Sequence, residues 1–451
     1  MKTILLFSLL WLFITTSINA QEIINKDAEI AKMVSEISAE NIEANVRKLV
    51  TFGTRHTLSD TKSNDTGVGA ARRWVKSQFD LYAKESGGRF TSEIDEYTIE
   101  ADGRRIPEEA LSANVVGVLK GTNPDDDRVF LITGHLDSRA TDVMDKEIDA
   151  PGANDDGSGV AVVMELARIM SKRAFPSTII FMAVTGEEQG LYGAGYMADK
   201  LLADSTNLVA VINNDMVGNS TSSGTNLLDN TQVRVFSEGV PAFETEEMER
   251  MRRYTSAEND SKSRQLARYI KEVGERYVDQ LEVKLVYRND RFLRGGDHTP
   301  FAKKGFTAVR MCEMNENYYH QHQTVRKEDG IQYGDLPEFM DFEYARKNAG
   351  VNLATLANLA WAPASPENVG VDVSGLSNST RLVWDDPQIG EKPKGYYVLM
   401  RETYQPLWEK KFYVEGNEAV LPYSKDNYFF AVQAVDAEGH ESLAVFPVPK
   451  R

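Results

Sequence analysis

Val129-Phe130-Leu131-Ile132-Thr133-Gly134-His135-Leu136-Asp137-Ser138 is the stretch from which the fold can be read. Residues 129–133 are apolar or β-branched and carry no charge, as in a strand buried on both faces of a sheet. A glycine, a histidine and an aspartate follow directly. In open α/β sheets, ligands bind beyond the carboxyl ends of the strands, so His135 stands where a site is expected. Working outward, residues 114–119, 178–184 and 208–213 read as further strands, and residues 159–170 as an apolar-faced helix. Residues 28–52 and 69–84 carry apolar side chains at helical spacing. Residues 307–311 resume strand character, and residues 342–359 form a closing helix. Strands alternating with helices predict an α/β sheet covered on both faces.

Between these lies residues 219–290, which break the rhythm. Residues 220–225 are polar and loop-like, while 244–254 and 260–277 are charged and helix-prone, as expected of solvated helix faces. After the Pro-containing stretch 361–366 the texture becomes all-β. Alternation over 380–384, 395–401 and 428–435, with a turn at 436–439, predicts a small β-sandwich over residues 363–451.

Composition narrows the function classes. The chain has 451 residues, 41% hydrophobic and 26% charged, which fits a globular protein of two or three domains. Asp and Glu number 68 against 51 Lys and Arg, a net charge of −17, which argues against nucleic acid as a partner. Residues 1–20 combine a basic start, a short apolar run and a small residue at Ala20, as in a secretory signal peptide. Periplasmic or secreted export is therefore expected. No later run is apolar enough to insert stably in a membrane. Cys312 is the only cysteine, so no intrachain disulfide exists, and it reads as a buried small hydrophobe.

The chemistry-bearing residues cluster at strand ends. His135 is followed by Asp137, placed to accept its other ring N–H. Gly152-Ala153-Asn154-Asp155-Asp156-Gly157 opens a helix. A helix cap accounts for one of these acids, but a packed pair needs a cation to hold it. Glu187 and Glu188 follow a strand and can divide the labour of general base and metal ligand. Asp215 ends another strand. Asp297 and His298 lie in Gly-Gly-Asp-His, and Tyr318-Tyr319-His320-Gln321-His322 closes the series. Four of the six histidines fall in these motifs. Imidazole and carboxylate without thiolate suit a catalytic zinc pair.

This order of motifs resembles the co-catalytic di-zinc aminopeptidases, metallopeptidase family twenty-eight, over roughly residues 40–360. The resemblance implies a three-layer α/β/α zinc-exopeptidase fold with a mixed sheet of about eight strands, here spanning residues 21–362. It implies that His135, Asp155 and Asp215 hold one zinc, and that Asp155, Glu188 and His322 hold the other. Glu187 is then the general base, and Asp137 orients His135. His322 is preferred over His320 as the last ligand. Tyr318, Tyr319, Asp297, His298 and His320 are expected to line the cleft or brace the ligands, and segment 219–290 to shape the cleft. Peptides are the implied substrates. The C-terminal segment resembles a fibronectin type III domain, for which a protein or glycan partner is an expectation. The same scaffold also serves carboxypeptidases, amidohydrolases and one-zinc glutaminyl cyclases, and a non-catalytic binding protein is the alternative from another class.

Overall fold

The computed structural model describes residues 26–451, so the signal peptide expected over residues 1–20 lies outside the described residues. Strands β1 (Phe90–Ile99), β2 (Ala110–Leu119), β3 (Val129–His135), β4 (Thr178–Val184), β5 (Leu208–Asn214), β6 (Gln232–Phe236), β7 (Glu282–Val286) and β8 (Ala308–Glu313) form one eight-stranded sheet. Their order is β1-β2-β4-β3-β5-β8-β6-β7. β3 runs parallel to β4 and β5, and β5 to β8, whereas β1, β2 and β6 introduce antiparallel pairs. The mixed central sheet matches the expected fold class.

The helices are α1 (Ala28–Ser35), α2 (Ala39–Val50), α3 (Gly67–Glu85), α4 (Gly157–Met170), α5 (Glu187–Gly190), α6 (Tyr192–Ala203), α7 (Glu246–Thr255), α8 (Lys262–Tyr277), α9 (His298–Lys303) and α10 (Phe342–Trp361). β3 shows why they form two layers. Phe130 and Ile132 point into the core shared with α2, α4, α8 and α10, while Leu131 points into the core shared with α6 and α9. Alternate residues of a strand face opposite sides, so an uninterrupted apolar strand demands cover on both.

Three expectations are corrected. The helix expected over residues 28–52 is two helices. Ser38 breaks it by accepting the Asn41 N–H as the cap of α2, while its own N–H donates to buried Glu165 at 2.9 Å. Segment 219–290 is part of the sheet, supplying β6, β7 and α8, and none of its residues lines the cleft described below. Its two charged helices also differ. α7 has no buried residue and is the solvated helix expected, but α8 is largely buried, with Arg264 and Arg268 inside.

The charge on α8 is buried because it is matched by the C-terminal segment. There β11 (Glu367–Asp372), β12 (Thr380–Asp385), β15 (Glu418–Leu421) and β17 (Val448–Lys450) form a four-stranded sheet. A three-stranded sheet of β13 (Gly395–Glu402), β14 (Lys410–Val414) and β16 (Tyr428–Val435) faces it across a core of Leu382, Trp384, Val398 and Phe430. A hairpin of β9 (Arg326–Glu328) and β10 (Ile331–Tyr333) precedes α10. At the junction Asp260 accepts from Arg268 at 3.0 Å and from Arg401 of β13 at 2.6 Å, all three being buried. Arg276 of α8 pairs with buried Glu441 at 2.8 Å, and Tyr269 donates to the Glu441 carbonyl at 2.7 Å.

Removing one partner of such a buried network strands the others. Asp260→Ala is expected to cost about 3–5 kcal/mol of stability, read as a lowered urea midpoint. An unchanged midpoint would show that the junction carries no stability.

Candidate metal and active site

The site begins with backbone contact between three elements. A Cβ on Gly134, near the end of β3, would meet the Gly159 carbonyl carbon at 2.4 Å. One on Gly159, in the first turn of α4, would meet the Asn214 oxygen of β5 at 2.3 Å. Only glycines let β3, α4 and β5 approach this closely. Asp156 then ties them together: its carboxylate accepts from the N–H groups of Gly159, His135 and Met216 at 2.9, 2.9 and 3.1 Å. It is the N-cap of α4, so the capping reading of the Asp155-Asp156 pair applies to Asp156.

Asp155 is thereby aimed the other way. Its Oδ1 lies 3.0 Å from His135 Nε2, and its Oδ2 lies 2.9 Å from His322 Nε2. Asp215 Oδ1 is 3.9 Å from His135 Nε2, and Glu188 Oε1 is 2.9 Å from His322 Nε2. Two donor groups result, His135–Asp155–Asp215 and Asp155–Glu188–His322, each with its ligand atoms within 4.8 Å of one another. Asp155 belongs to both. Met216 and His322 adopt positive φ (61° and 55°), a conformation that side-chain-bearing residues adopt rarely and that concentrates at functional sites.

The electrostatics of the groups are those of a cation site. Burial alone would raise Asp155, but His322 and His135 hold it well below the usual carboxylate range. Burial disfavours a charged His322, yet Glu188 and Asp155 push it up to about 10. His135 is likewise raised, with burial overcome by Asp155, Asp156, Glu187 and Asp215. Burial raises Asp215, and Arg310, 2.8 Å from it, opposes that rise. What favours a proton on these imidazoles equally favours a metal ion there.

Asp137 has a different part from the one expected. Its backbone carbonyl, not its carboxylate, lies 2.9 Å from His135 Nδ1, which directs Nε2 into the site. The carboxylate stays 3.9 Å from that nitrogen because it is committed elsewhere. It accepts the N–H groups of Gly186, Glu187 and Glu188 at 2.8, 3.3 and 3.1 Å, and so anchors the start of α5. Those amides present Glu187 and Glu188 to the cleft. Sequence reasoning missed Asp335, whose carboxylate accepts the Asn154 and Asp155 N–H groups, the latter at 2.7 Å. It sits 180 residues from Asp155 with no motif around it.

The model of peptidase family M28 matches residues 114–340. A probable zinc metalloprotease of Leptosphaeria maculans is 47% identical over 94% of this chain and 97% of that protein. One of Pyrenophora teres f. teres is 46% identical over 94% of this chain and 87% of that protein. The chain belongs to peptidase family M28. Among solved structures, the Legionella pneumophila LapA aminopeptidase shares the fold, with a TM-score of 0.53 at 20% identity, covering 77% of this chain and 78% of that one.

Within this M28 fold the remaining expected residues fall into place or out of it. A cleft of about 400 Å³ is lined by His135, Asp155, Glu187, Glu188, Asp215 and His322. Gln321 also reaches it and donates to Asp155 at 3.1 Å. Tyr318 and Tyr319 do not line it. Tyr318 is exposed, and Tyr319 packs edge-on against Tyr333 of β10. His320 is also outside, stacked on Phe339 at 3.8 Å, and burial lowers it to about 4. The turn through Gln321 sends the two histidines to different places. His298 is buried with Nε2 2.7 Å from the Asn289 carbonyl, and burial lowers it to about 4, so it braces the loop before α9. Asp297 is fully buried and raised to about 8 by burial, opposed by His135 and reinforced by Asp137 and Asp215. The other wall of the cleft, which the sequence did not announce, is made by Arg105, Arg139, Arg291 and Arg294.

The shifts have a sign. Groups whose folded pKa is raised lend stability that is lost as pH rises through that value. His322 near 10, Asp297 near 8 and Asp335, raised by burial to about 7, all act this way. Each contribution is lost between the group's ordinary pKa and its raised one, so metal-free protein is expected to lose stability from about pH 4 to 8 through the carboxyls and from about pH 6.5 to 10 through His322, read as urea midpoints in chelator. Zinc should flatten the part of this slope that comes from His322, because the ion replaces the imidazole proton, and leave the part that comes from Asp297 and Asp335. A flat midpoint in chelator over that range would contradict the reading.

Proposed function

We propose that the protein is an exported, zinc-dependent aminopeptidase that removes N-terminal residues from peptides. The observation that carries this is the pair of donor groups sharing Asp155, with Glu187 on the wall of the same cleft. The donor set fits two zinc ions. It contains imidazole and carboxylate but no thiolate, as in catalytic rather than structural zinc centres. Glu188 Oε1 and Asp155 Oδ2 both converge on His322 Nε2, at 2.9 Å each, as the ligand atoms of one ion do. The second donor group supports a two-ion centre over one-ion cyclisation chemistry.

When bound, zinc supplies Lewis acidity to the scissile carbonyl and lowers the pKa of water. The remaining steps belong to side chains. Glu187 takes a proton from the attacking water on its carboxylate and gives it to the departing amine nitrogen. Burial, opposed by His135 and reinforced by Glu188, Asp215 and Asp297, holds Glu187 well above the ordinary glutamate range. Asp137 keeps Glu187 and Glu188 in place through its hold on their amides.

The cleft volume falls within the range of small-ligand sites, about 300–1,000 Å³, which suits the end of a peptide rather than an extended chain. Export rests on the apolar leader of residues 1–20. Among the described residues no helix is long and apolar enough to cross a membrane.

Glu187→Gln should lower kcat by on the order of 10²–10⁴ while leaving bound zinc unchanged by elemental analysis. Asp155→Asn should lose both ions, and His322→Ala one of two. Zinc stoichiometry near one in the unmodified protein, or no hydrolysis of any unblocked peptide or amino-acyl anilide, would sink the proposal.

A further inference from the structure

The cleft floor is acidic, yet its rim is not. Arg105 comes from the loop after β1, Arg139 from the loop after β3, and Arg291 and Arg294 from the loop between β7 and α9. Three loops far apart in sequence thus deliver guanidinium groups to one cleft. Arg291 is already neutralised, pairing with Asp290 at 3.2 Å and Glu316 at 2.9 Å. Arg105, Arg139 and Arg294 have no ion pair among the described residues, although carboxylates line the same cleft.

Two of the three are tethered without being neutralised. Arg105 Nη1 donates to the Glu188 carbonyl at 2.5 Å. Arg139 donates to the carbonyls of Ala140 and Thr141 at 3.2 and 3.1 Å. A carbonyl orients a guanidinium but leaves its charge uncompensated, and the fork has more N–H donors than these bonds use. A bound carboxylate would complete the three arginines, because arginine matches its planar geometry with charge-assisted hydrogen bonds.

We propose that Arg105, Arg139 and Arg294 form a carboxylate-binding subsite, so that the preferred substrates are peptides bearing a carboxylate close to the scissile bond. The proposal rests on the peptidase reading above. The metal-ligand floor, with Glu187 beside it, then meets the amino end of the substrate, and the basic rim meets the carboxylate. That carboxylate comes either from an acidic side chain on the first residue or from the free C-terminus of a dipeptide.

The test uses the full-length, zinc-loaded protein with paired substrates. Glutamyl anilide against glutaminyl anilide reports the side-chain source. Leucyl-glycine against its C-terminal amide reports the terminal source. The expected result is a kcat/KM ratio on the order of 10- to 100-fold in favour of the carboxylate in at least one pair, carried by KM. Arg139→Gln combined with Arg294→Gln should collapse that ratio towards one, and raising ionic strength should shrink it. Comparing ratios rather than rates removes any general loss of activity in the variant. Equal kcat/KM within both pairs, or a ratio unmoved by the double variant, overturns the subsite and leaves the peptidase reading standing. Absence of all hydrolysis overturns the peptidase reading instead. The subsite is then judged by calorimetric binding of leucyl-glycine against its amide to the Glu187→Gln protein, where equal affinities refute it.

Discussion

Asp155 is 6% exposed, and each of its carboxylate oxygens faces an imidazole nitrogen at 3.0 Å or less. A buried carboxylate is costly unless charge and hydrogen bonds meet it, and a cluster of them is costlier still. Asp215, Glu187 and Glu188 share its cleft. Much of the local architecture follows from keeping these acids together. Asp335 and Gln321 hold Asp155 from its backbone and its side chain, and Arg310 sits against Asp215. Fixed dipoles and one fixed cation preorganise the acids, and bound zinc would supply further positive charge.

The acids of the site therefore divide by task. Asp137, Asp156 and Asp335 accept backbone N–H groups and turn their charge inward to the fold. Asp155, Glu188 and Asp215 direct theirs to the donor groups. Each anchoring acid is adjacent in space to a donor that it positions. Asp156 positions Asp155 from the next residue, Asp137 positions Glu188 from across β4, and Asp335 reaches Asp155 from beyond the β9–β10 hairpin. Adjacent aspartates at the start of α4 are thus two functions in one motif, one capping and one pointing into the cleft.

This division explains what could be read from the sequence. Apolar strands that end in Gly-His, Glu-Glu or Asp-Met announce both the sheet and its site, because strand periodicity and strand-end chemistry are local signals. The eight-stranded mixed sheet follows the same logic. Asp335 and the cleft arginines were not legible, since each lies in a loop of no distinctive composition and acts across long sequence separations. Tyr318, Tyr319 and His320 were misplaced because adjacency to His322 in sequence is not adjacency in space once the chain turns with His322 at φ 55°. Helix α8 misled for a third reason. A charged helix looks solvated until its partners are known, and Asp260, Arg401 and Glu441 bury it against the C-terminal strands.

Net charge shows the same limit from the other side. The excess of acids, −17, describes the chain as a whole and predicts a solvated anionic surface. The cleft departs from that average in both directions, with acids on its floor and arginines on its rim. Inside a recess the low-dielectric walls make local charges count for more than distant ones. Whatever enters this cleft therefore encounters a charge pattern set by the side chains that line it, whose arrangement the global charge does not reveal.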